Sequence, residues 1–152
     1  MRPPTRRAGT VLLSIAALAV ITGATPATAA TPPVKIVKVA YDSPGTDNGG
    51  NVSLNAEQVV IKNVSARAQT LTGWTLRDKQ NHVYKFPTFQ LAAGQSVTVH
   101  TGKGTATQQH RYFNAAWYVW NNTGDQAILR NAAGATIHTC AWSAVGTGTK
   151  TC

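Results

Sequence analysis

The sequence has 152 residues, of which 43% are hydrophobic and 12% are charged. That length fits one domain, and so low a charged fraction excludes a disordered acidic or basic tail and a coiled coil. The formal net charge of +9 favours anionic partners, whereas 5 Asp plus Glu are few for an enzyme that works by paired acids.

The first predicted element is a secretory signal peptide over residues 1–29. Three arginines precede an apolar run over 11–21, and Ala27-Thr28-Ala29 has the small-x-small pattern of a cleavage site, so cleavage is expected after Ala29. The run is shorter than the roughly 20 residues of a membrane-spanning helix, although a permanent anchor is the alternative. The pair Arg6-Arg7 leaves both Sec and twin-arginine export open. We expect a secreted, extracellular chain over 30–152 with a net charge of about +6.

From Thr31 onward the hydrophobic pattern has a period of two, which predicts strands. Buried faces are expected to consist of Val37, Val39 and Tyr41 in the first strand, Val59 and Ile61 in the second, and Val97 and Val99 in a later one. Further strands are expected over 71–77, 82–86, 126–130 and 135–140, with a short one over 117–120. Seven or eight short strands separated by glycine- and asparagine-rich turns predict an all-β, two-sheet antiparallel sandwich without a long helix.

The alternation breaks at Gly73. Leu71 falls on the opposite face from Trp74 and Leu76, so we expect a β-bulge at Gly73 that turns Trp74 inward. A tryptophan in that position would bury roughly 200 Å² of the core.

Two long loops, over 42–55 and 103–116, are expected at the ends of the sandwich, where binding surfaces usually form. The oxygen-rich stretch from Asp42 to Asn51 either holds calcium weakly or forms an ordinary turn, and it lacks the closing glutamate of an EF-hand.

The two cysteines, Cys140 and Cys152, are expected to pair in an oxidising compartment, so that residues 143–152 are clipped onto the strand that carries Cys140. No CxxC spacing, GxSxG elbow, P-loop or HExxH motif is present, and the four histidines lack metal-ligand spacing. We therefore predict no catalytic residue, no metal and no cofactor.

Six segments then form an ordered set of motifs: Asn55–Asn63, Leu71–Asp78, Tyr84–Pro87, Leu91–Gln95, Val97–Val99 and Trp120–Leu129. Their order and spacing resemble the lamin tail domain, the module of nuclear lamins and of many exported bacterial proteins. The resemblance covers roughly residues 34–142 and implies an immunoglobulin-like β-sandwich in a small secreted bacterial member of the family.

The residues that match the family are interpreted as scaffold. Phe86-Pro87 ends a strand because proline cannot donate to a central ladder. Gly94 supplies a positive φ, and the side chains over 121–125 hold a turn. The full set is Asn63, Gly73, Trp74, Leu76, Phe86, Pro87, Gly94, Trp120, Asn121, Asn122, Gly124 and Asp125.

The resemblance and the positive charge favour a non-catalytic binding or structural module at the cell envelope or outside the cell. Lamin tails are thought to contact DNA and proteins, so the expected partner is an anionic polymer (DNA or wall polymer), bound weakly and with salt sensitivity, or a protein. The candidate contacts are Arg67, Arg77, Lys79, Lys85, Lys103, Arg111 and Arg130, with Trp117 and Tyr118 as stacking platforms.

Two alternatives stay open at this point. One is a small secreted metal-dependent hydrolase such as a nuclease, which would need metal-binding acids or a histidine base beside a carboxylate. The other is adhesion by sheet-edge pairing, which Lys38 or Lys62 on an edge strand would oppose.

Overall fold

The computed structural model describes residues 31–143 and 148–152, and the predicted signal peptide lies outside them. These residues form eleven strands and one short helix. In chain order the elements are β1 (Val34–Ala40), α1 (Asn51–Ala56), β2 (Gln58–Asn63), β3 (Gln69–Thr70), β4 (Thr75–Arg77), β5 (Val83–Lys85), β6 (Gln90–Leu91), β7 (Ser96–His100), β8 (His110–Tyr112), β9 (Gly124–Arg130), β10 (Thr136–Ser143) and β11 (Thr149–Thr151). Within the described ranges, no helix has the length and apolar character needed to cross a membrane.

The strands form two main sheets that pack as an immunoglobulin-like β-sandwich. One sheet has the order β11-β1-β2-β7-β8 and the other has the order β10-β9-β4-β5, while β3 and β6 form a separate two-stranded ladder. The pairing is antiparallel except between β7 and β8, which run parallel. The predicted fold class is therefore confirmed, with one parallel pair that the sequence pattern did not indicate.

Two strand predictions are wrong. The segment 117–120 contains no strand, and of the expected strand over 71–77 only Thr75–Arg77 (β4) is a strand, because residues 71–74 form a turn that follows β3. In that turn the Trp74 amide donates to the Leu71 carbonyl at 2.9 Å and Gly73 has a φ of 78°. Gly73 therefore serves a β-turn that requires positive φ, and not the predicted bulge.

A bulge does occur in β1. The register with β2 shifts between Ile36 and Lys38, so Ile36 and Val39 are both fully buried while Val37 is only partly buried. The prediction that Val37 shares the buried face with Val39 and Tyr41 is wrong because the extra residue reverses the alternation on its N-terminal side.

The core lies between the two sheets, and Trp120 is its largest fully buried side chain. Leu76, Phe86, Ile61 and Leu129 are also buried there. Trp74, the tryptophan predicted to fill the core, is partly buried and packs against this cluster from its margin. The local turn at Gly73 keeps Trp74 at that margin, while Trp120 enters from the loop before β9.

The disulfide between Cys140 and Cys152 forms as predicted. Cys140 lies in β10 and Cys152 directly follows β11, and because these are edge strands of different sheets, the bond links one sheet of the sandwich to the other. The Cys152 amide also donates to the Val37 carbonyl at 3.0 Å, which holds the C-terminus beside the β1 bulge.

Candidate functional site

The acidic side chains are mostly removed from the surface. Glu57, Asp78 and Asp125 are at most 2% exposed, and the other two acids, Asp42 and Asp47, lie in the loop before α1. Asp125 accepts hydrogen bonds from the backbone amides of Lys79, Asn121 and Gln126. The exposed charge of the domain outside that loop is therefore positive.

Three of the predicted basic residues lie on the same outer face of the four-stranded sheet. Because Leu76 points into the core, its neighbours Thr75 and Arg77 point outward. Lys85 and Arg130 each pair with Thr75 from the two flanking strands, so their backbones lie about 10 Å apart, two strand spacings. We call Arg77, Lys85 and Arg130 the basic face.

The cations of the basic face have no acidic partner in the described part of the chain. Arg77 Nη1 donates to Asn81 Oδ1 at 3.0 Å, and the Nε atoms of Arg77 and Arg130 are covered without a hydrogen-bond partner. The charges of these guanidinium groups are therefore not neutralised by a carboxylate and can attract an anion.

The remaining predicted contacts lie elsewhere. Lys79 is in the β4–β5 turn next to the basic face, and Arg67 is exposed in the loop after β2. The backbone of Lys103 is fixed by Asn51, whose Oδ1 accepts from the Lys103 amide at 2.7 Å. Arg111 is 8% exposed and lies under the surface on β8.

The predicted stacking residues are on a different part of the domain from the basic face. Trp117 is 61% exposed and lies against Gly49, where an added Cβ would meet its ring at 2.4 Å. The Tyr118 hydroxyl is 2.6 Å from Ser53 Oγ. These aromatic side chains thus cover the segment that begins α1, and no described contact joins them to Arg77, Lys85 or Arg130.

A second set of cations, Lys35, Lys38 and Lys62, was not among the predicted contacts; Lys38 and Lys62 are exposed and Lys35 is partly exposed. Lys35 and Lys62 are directly opposite each other on β1 and β2, and Lys38 follows the bulge. Period-two alternation could have placed Lys62 outward, but the pairing of two lysines depends on the register. Neither β1 nor β2 is an edge strand, so these lysines protect no edge.

The parallel pairing of β7 and β8 joins two histidines that are ten residues apart. His100 Nε2 is 3.0 Å from His110 Nδ1, and His100 Nδ1 is 2.8 Å from the Asn55 carbonyl oxygen. Over the described ranges no group of three or more His, Cys, Asp or Glu side chains is arranged to hold a metal.

The oxygen-rich loop before α1 uses its side chains on the protein itself. Asn122 Nδ2 donates to Asp42 Oδ1 at 2.9 Å and to Asp47 Oδ2 at 3.3 Å. Asn48 Oδ1 accepts from the Gly50 amide. The side-chain amide nitrogen of Asn122 therefore lies between the Asp42 and Asp47 carboxylates, where a calcium ion would otherwise lie. This is the arrangement of an ordinary loop stabilised by its side chains.

The β4–β5 turn carries a carboxylate–histidine pair. Asp78 Oδ2 lies 2.5 Å from His82 Nδ1, and Asp78 Oδ1 accepts from the His82 amide at 2.7 Å. The carboxylate is buried while the histidine side chain is 56% exposed. This contact closes the turn and also orients an accessible imidazole, which is the arrangement that a general base requires.

Asn63 connects three segments below the surface. It is fully buried, and its Nδ2 donates to the carbonyls of Arg67, Leu91 and Ala92 while its Oδ1 accepts from the Ser65 amide and hydroxyl. The other scaffold positions include Gly94, with a φ of 72°, and Gly124, whose amide donates to the Asn121 carbonyl at 3.2 Å.

Replacing Asn63 by alanine is expected to lower the free energy of unfolding by about 2 kcal/mol, because it leaves buried carbonyl and amide groups unpaired. Urea unfolding at neutral pH measures this loss. Gln95→Ala, which truncates an exposed side chain in the adjacent turn, is the control and should change the stability by less than about 0.5 kcal/mol. Equal effects of the two substitutions would contradict the role given to Asn63.

Glu57 is a second buried connection. Its Oε2 accepts from Thr101 Oγ1 at 2.6 Å and from the Val119 amide at 3.0 Å, and its Oε1 accepts from the Trp120 amide at 3.1 Å. Burial raises the pKa of this carboxyl to about 7, and the three hydrogen bonds act in the opposite direction. Glu57 therefore fixes the loop that delivers Trp120 to the core.

The immunoglobulin-like sandwich, the scaffold of buried Asn and acidic side chains, and the described disulfide define a small β-sandwich module. The family model of the lamin tail domain matches residues 27–144. The chain belongs to the lamin tail domain family. A search of curated proteins finds no match to it.

Proposed function

We propose that this lamin tail domain is a secreted, non-catalytic module that binds an anionic polymer through the basic face. The main observation in support is that Arg77, Lys85 and Arg130 lie on one outer sheet surface and have no acidic partners among the described residues. The burial of Glu57, Asp78 and Asp125 supports the proposal because it leaves few exposed charges to repel an anion.

A sheet surface with separated cations is better suited to a polymer that carries a charge on each repeating unit than to one small molecule. Arg and Lys contacts to phosphates position a polymer without reading its sequence, and they give dissociation constants on the order of 10⁻⁴ to 10⁻⁶ M. Both duplex DNA and a phosphate-bearing wall polymer offer this chemistry. The proposed ligand class is therefore defined by the regular spacing of negative charges along the polymer, and not by the identity of its bases.

Location outside the cytoplasm is part of the same proposal. The predicted signal peptide over 1–29 supports it, and the Cys140–Cys152 disulfide is of the kind that persists in oxidising compartments. Mass spectrometry of the protein recovered from the culture medium of its host would test both points, with an N-terminus at Ala30 as the expected result.

Charge reversal tests the basic face. The triple variant Arg77→Glu, Lys85→Glu, Arg130→Glu is expected to weaken binding to duplex DNA or purified wall polymer at least about tenfold at low salt, because three phosphate contacts are lost. Fluorescence anisotropy with a labelled polymer measures the change.

The matched control reverses the same number of charges on the other sheet, as Lys35→Glu, Lys38→Glu, Lys62→Glu. It should weaken binding less, through the net charge alone. A larger loss in this control would place the interface on the five-stranded sheet. If neither polymer binds, a protein would be the remaining candidate partner.

Sheet-edge pairing would have to use a particular strand. The edge strands β5, β8 and β11 contain three residues each, and short edges resist strand addition. β10, with eight residues, is the longest edge strand in the described part of the chain. A protein partner that adds a strand would therefore pair with β10.

One observation favours the hydrolase alternative, namely the contact between Asp78 and exposed His82. Incubation of the purified protein with duplex DNA and Mg²⁺ tests it. Intact DNA after prolonged incubation is the result expected of a binding module. Cleavage that disappears in His82→Ala would instead establish a nuclease.

A further inference from the structure

Arg111 is a buried arginine without an acidic partner. It is level with Val99 of β7, which faces the core, and it is 8% exposed. Its Cζ atom lies 4.3 Å from the centre of the Phe89 ring, and its Nη1 donates to the His110 carbonyl at 3.1 Å. Its Nε is buried with no hydrogen-bond partner, and no carboxylate of the described residues pairs with it.

Such an arrangement is costly for the protein alone. A buried charge requires a counter-charge or a complete set of hydrogen bonds, and Arg111 has one described hydrogen bond and an aromatic ring. A guanidinium carries five N–H donors in a planar fork that matches an oxyanion. The unused donors of Arg111 therefore indicate a place for a ligand anion.

Two clefts open onto Arg111. One, of about 460 Å³, is lined by neutral hydroxyl and amide side chains and by Phe89. The other, of about 500 Å³, also contains Lys85, together with Tyr84, Tyr112 and Asn114. The second cleft is favoured for an anion because it combines a buried guanidinium with an exposed ammonium.

The neighbours of Arg111 in the second cleft are compatible with a tetrahedral oxyanion. Burial raises the pKa of the Tyr84 hydroxyl, so it stays neutral, and the charge of Arg111 acts on it in the opposite sense. A phosphate presents several acceptor oxygens, and the donors of Arg111 and Lys85 come from different strands, β8 and β5. Two cations in one cleft therefore suit a phosphate, which carries up to two negative charges, better than a singly charged carboxylate.

We propose that the cleft between Arg111 and Lys85 binds a single phosphate group of the polymer, with Arg111 as a fork and Lys85 as a point charge. This inference rests on the proposed function, since Lys85 belongs to both the basic face and the cleft. A polymer lying on the basic face would insert one of its phosphates beside Arg111.

The test follows the side-chain Nε–H resonance of Arg111 by NMR while glycerol 3-phosphate is added to the intact chain. We expect a saturable shift of this resonance and none for Arg67, which is exposed in the loop after β2. Acetate in place of glycerol 3-phosphate should produce a smaller shift. Titrations with short duplex DNA and with a polyol-phosphate oligomer then show which source of phosphate the cleft accepts.

Substitutions provide the second measurement. Arg111→Gln should weaken glycerol 3-phosphate binding about tenfold or more, and Lys85→Met should weaken it less, while Arg67→Met should leave it unchanged. An Arg111 resonance that does not move through the millimolar range overturns the proposal, even where Arg111→Gln fails to fold.

The outcomes separate the cleft from the polymer-binding function. If the chain binds polymer but Arg111 does not respond to glycerol 3-phosphate, the cleft assignment is wrong and the basic face stands. If Arg111 responds and no polymer binds, the cleft is a site for small phosphates and the proposed function is wrong.

Discussion

Replacing Trp120 by alanine is expected to lower the free energy of unfolding by about 3–5 kcal/mol, the usual cost of removing a buried tryptophan. Trp120 is 1% exposed and lies edge-on to the rings of Phe113, at 6.0 Å, and Trp142, at 6.1 Å, between centroids. Truncation would leave a cavity between the two sheets that the surrounding strands cannot fill by relaxation. Denaturant unfolding followed by circular dichroism measures the loss.

The control for this substitution is Trp117→Ala. Trp117 is 61% exposed, so its removal should change the stability by about 0.5 kcal/mol or less. Trp74→Ala should give an intermediate loss because that ring is partly buried against the core. A loss in Trp74→Ala that exceeds the loss in Trp120→Ala would contradict the assignment of the central core residue.

The stability is expected to fall as the pH rises from about 4.5 to about 7, because Glu57 has a pKa of about 7 in the folded chain and 4.5 as an ordinary side chain. The folded state holds a proton on Glu57 that the unfolded state releases over this interval, so each rise in pH favours unfolding. The full effect is about 3 kcal/mol, from 1.36 kcal/mol for each unit of pKa difference. Urea unfolding at several pH values measures this slope.

Glu57→Gln should remove that part of the pH dependence because the amide does not titrate. It should also lower the stability at pH 5, since the Gln amide group meets donors from Thr101, Val119 or Trp120 where the carboxyl accepted them. Asp42→Asn, which removes an exposed carboxylate that does not contribute to the raised pKa of Glu57, is the control and should retain the slope. An unchanged slope in Glu57→Gln would show that another group controls the pH dependence.

Strands with uninterrupted alternation were predictable from the sequence. In β2 and β7 the pairs Val59 with Ile61, and Val97 with Val99, are buried as the period of two indicated. In β1 the same rule failed because the bulge at Val37 depends on how β1 pairs with β2. The pattern did not indicate Trp120 as the central core residue, because the segment 117–120, predicted as a strand, belongs to a loop whose path is set by tertiary contacts such as those with Glu57.

The basic face, too, could be predicted from the sequence only in part. Alternation about Leu76 could indicate that Arg77 points outward, but only the register of three strands places it beside Lys85 and Arg130. Likewise, the turn role of Asp125 could be predicted from the sequence, but the burial of Glu57 depends on contacts with Thr101, Val119 and Trp120 that the spacing of residues does not reveal. The surface charge that supports binding is therefore a tertiary property of this fold.

The salt dependence of polymer binding tests the central proposal most directly. For the intact chain with duplex DNA, log K should fall linearly with log salt with a slope of about −3, as expected when Arg77, Lys85 and Arg130 each neutralise one phosphate. Charge reversal of these three residues should bring the slope close to zero. Absence of measurable affinity for DNA and wall polymer at low salt, or an affinity that does not change with salt, would contradict the account.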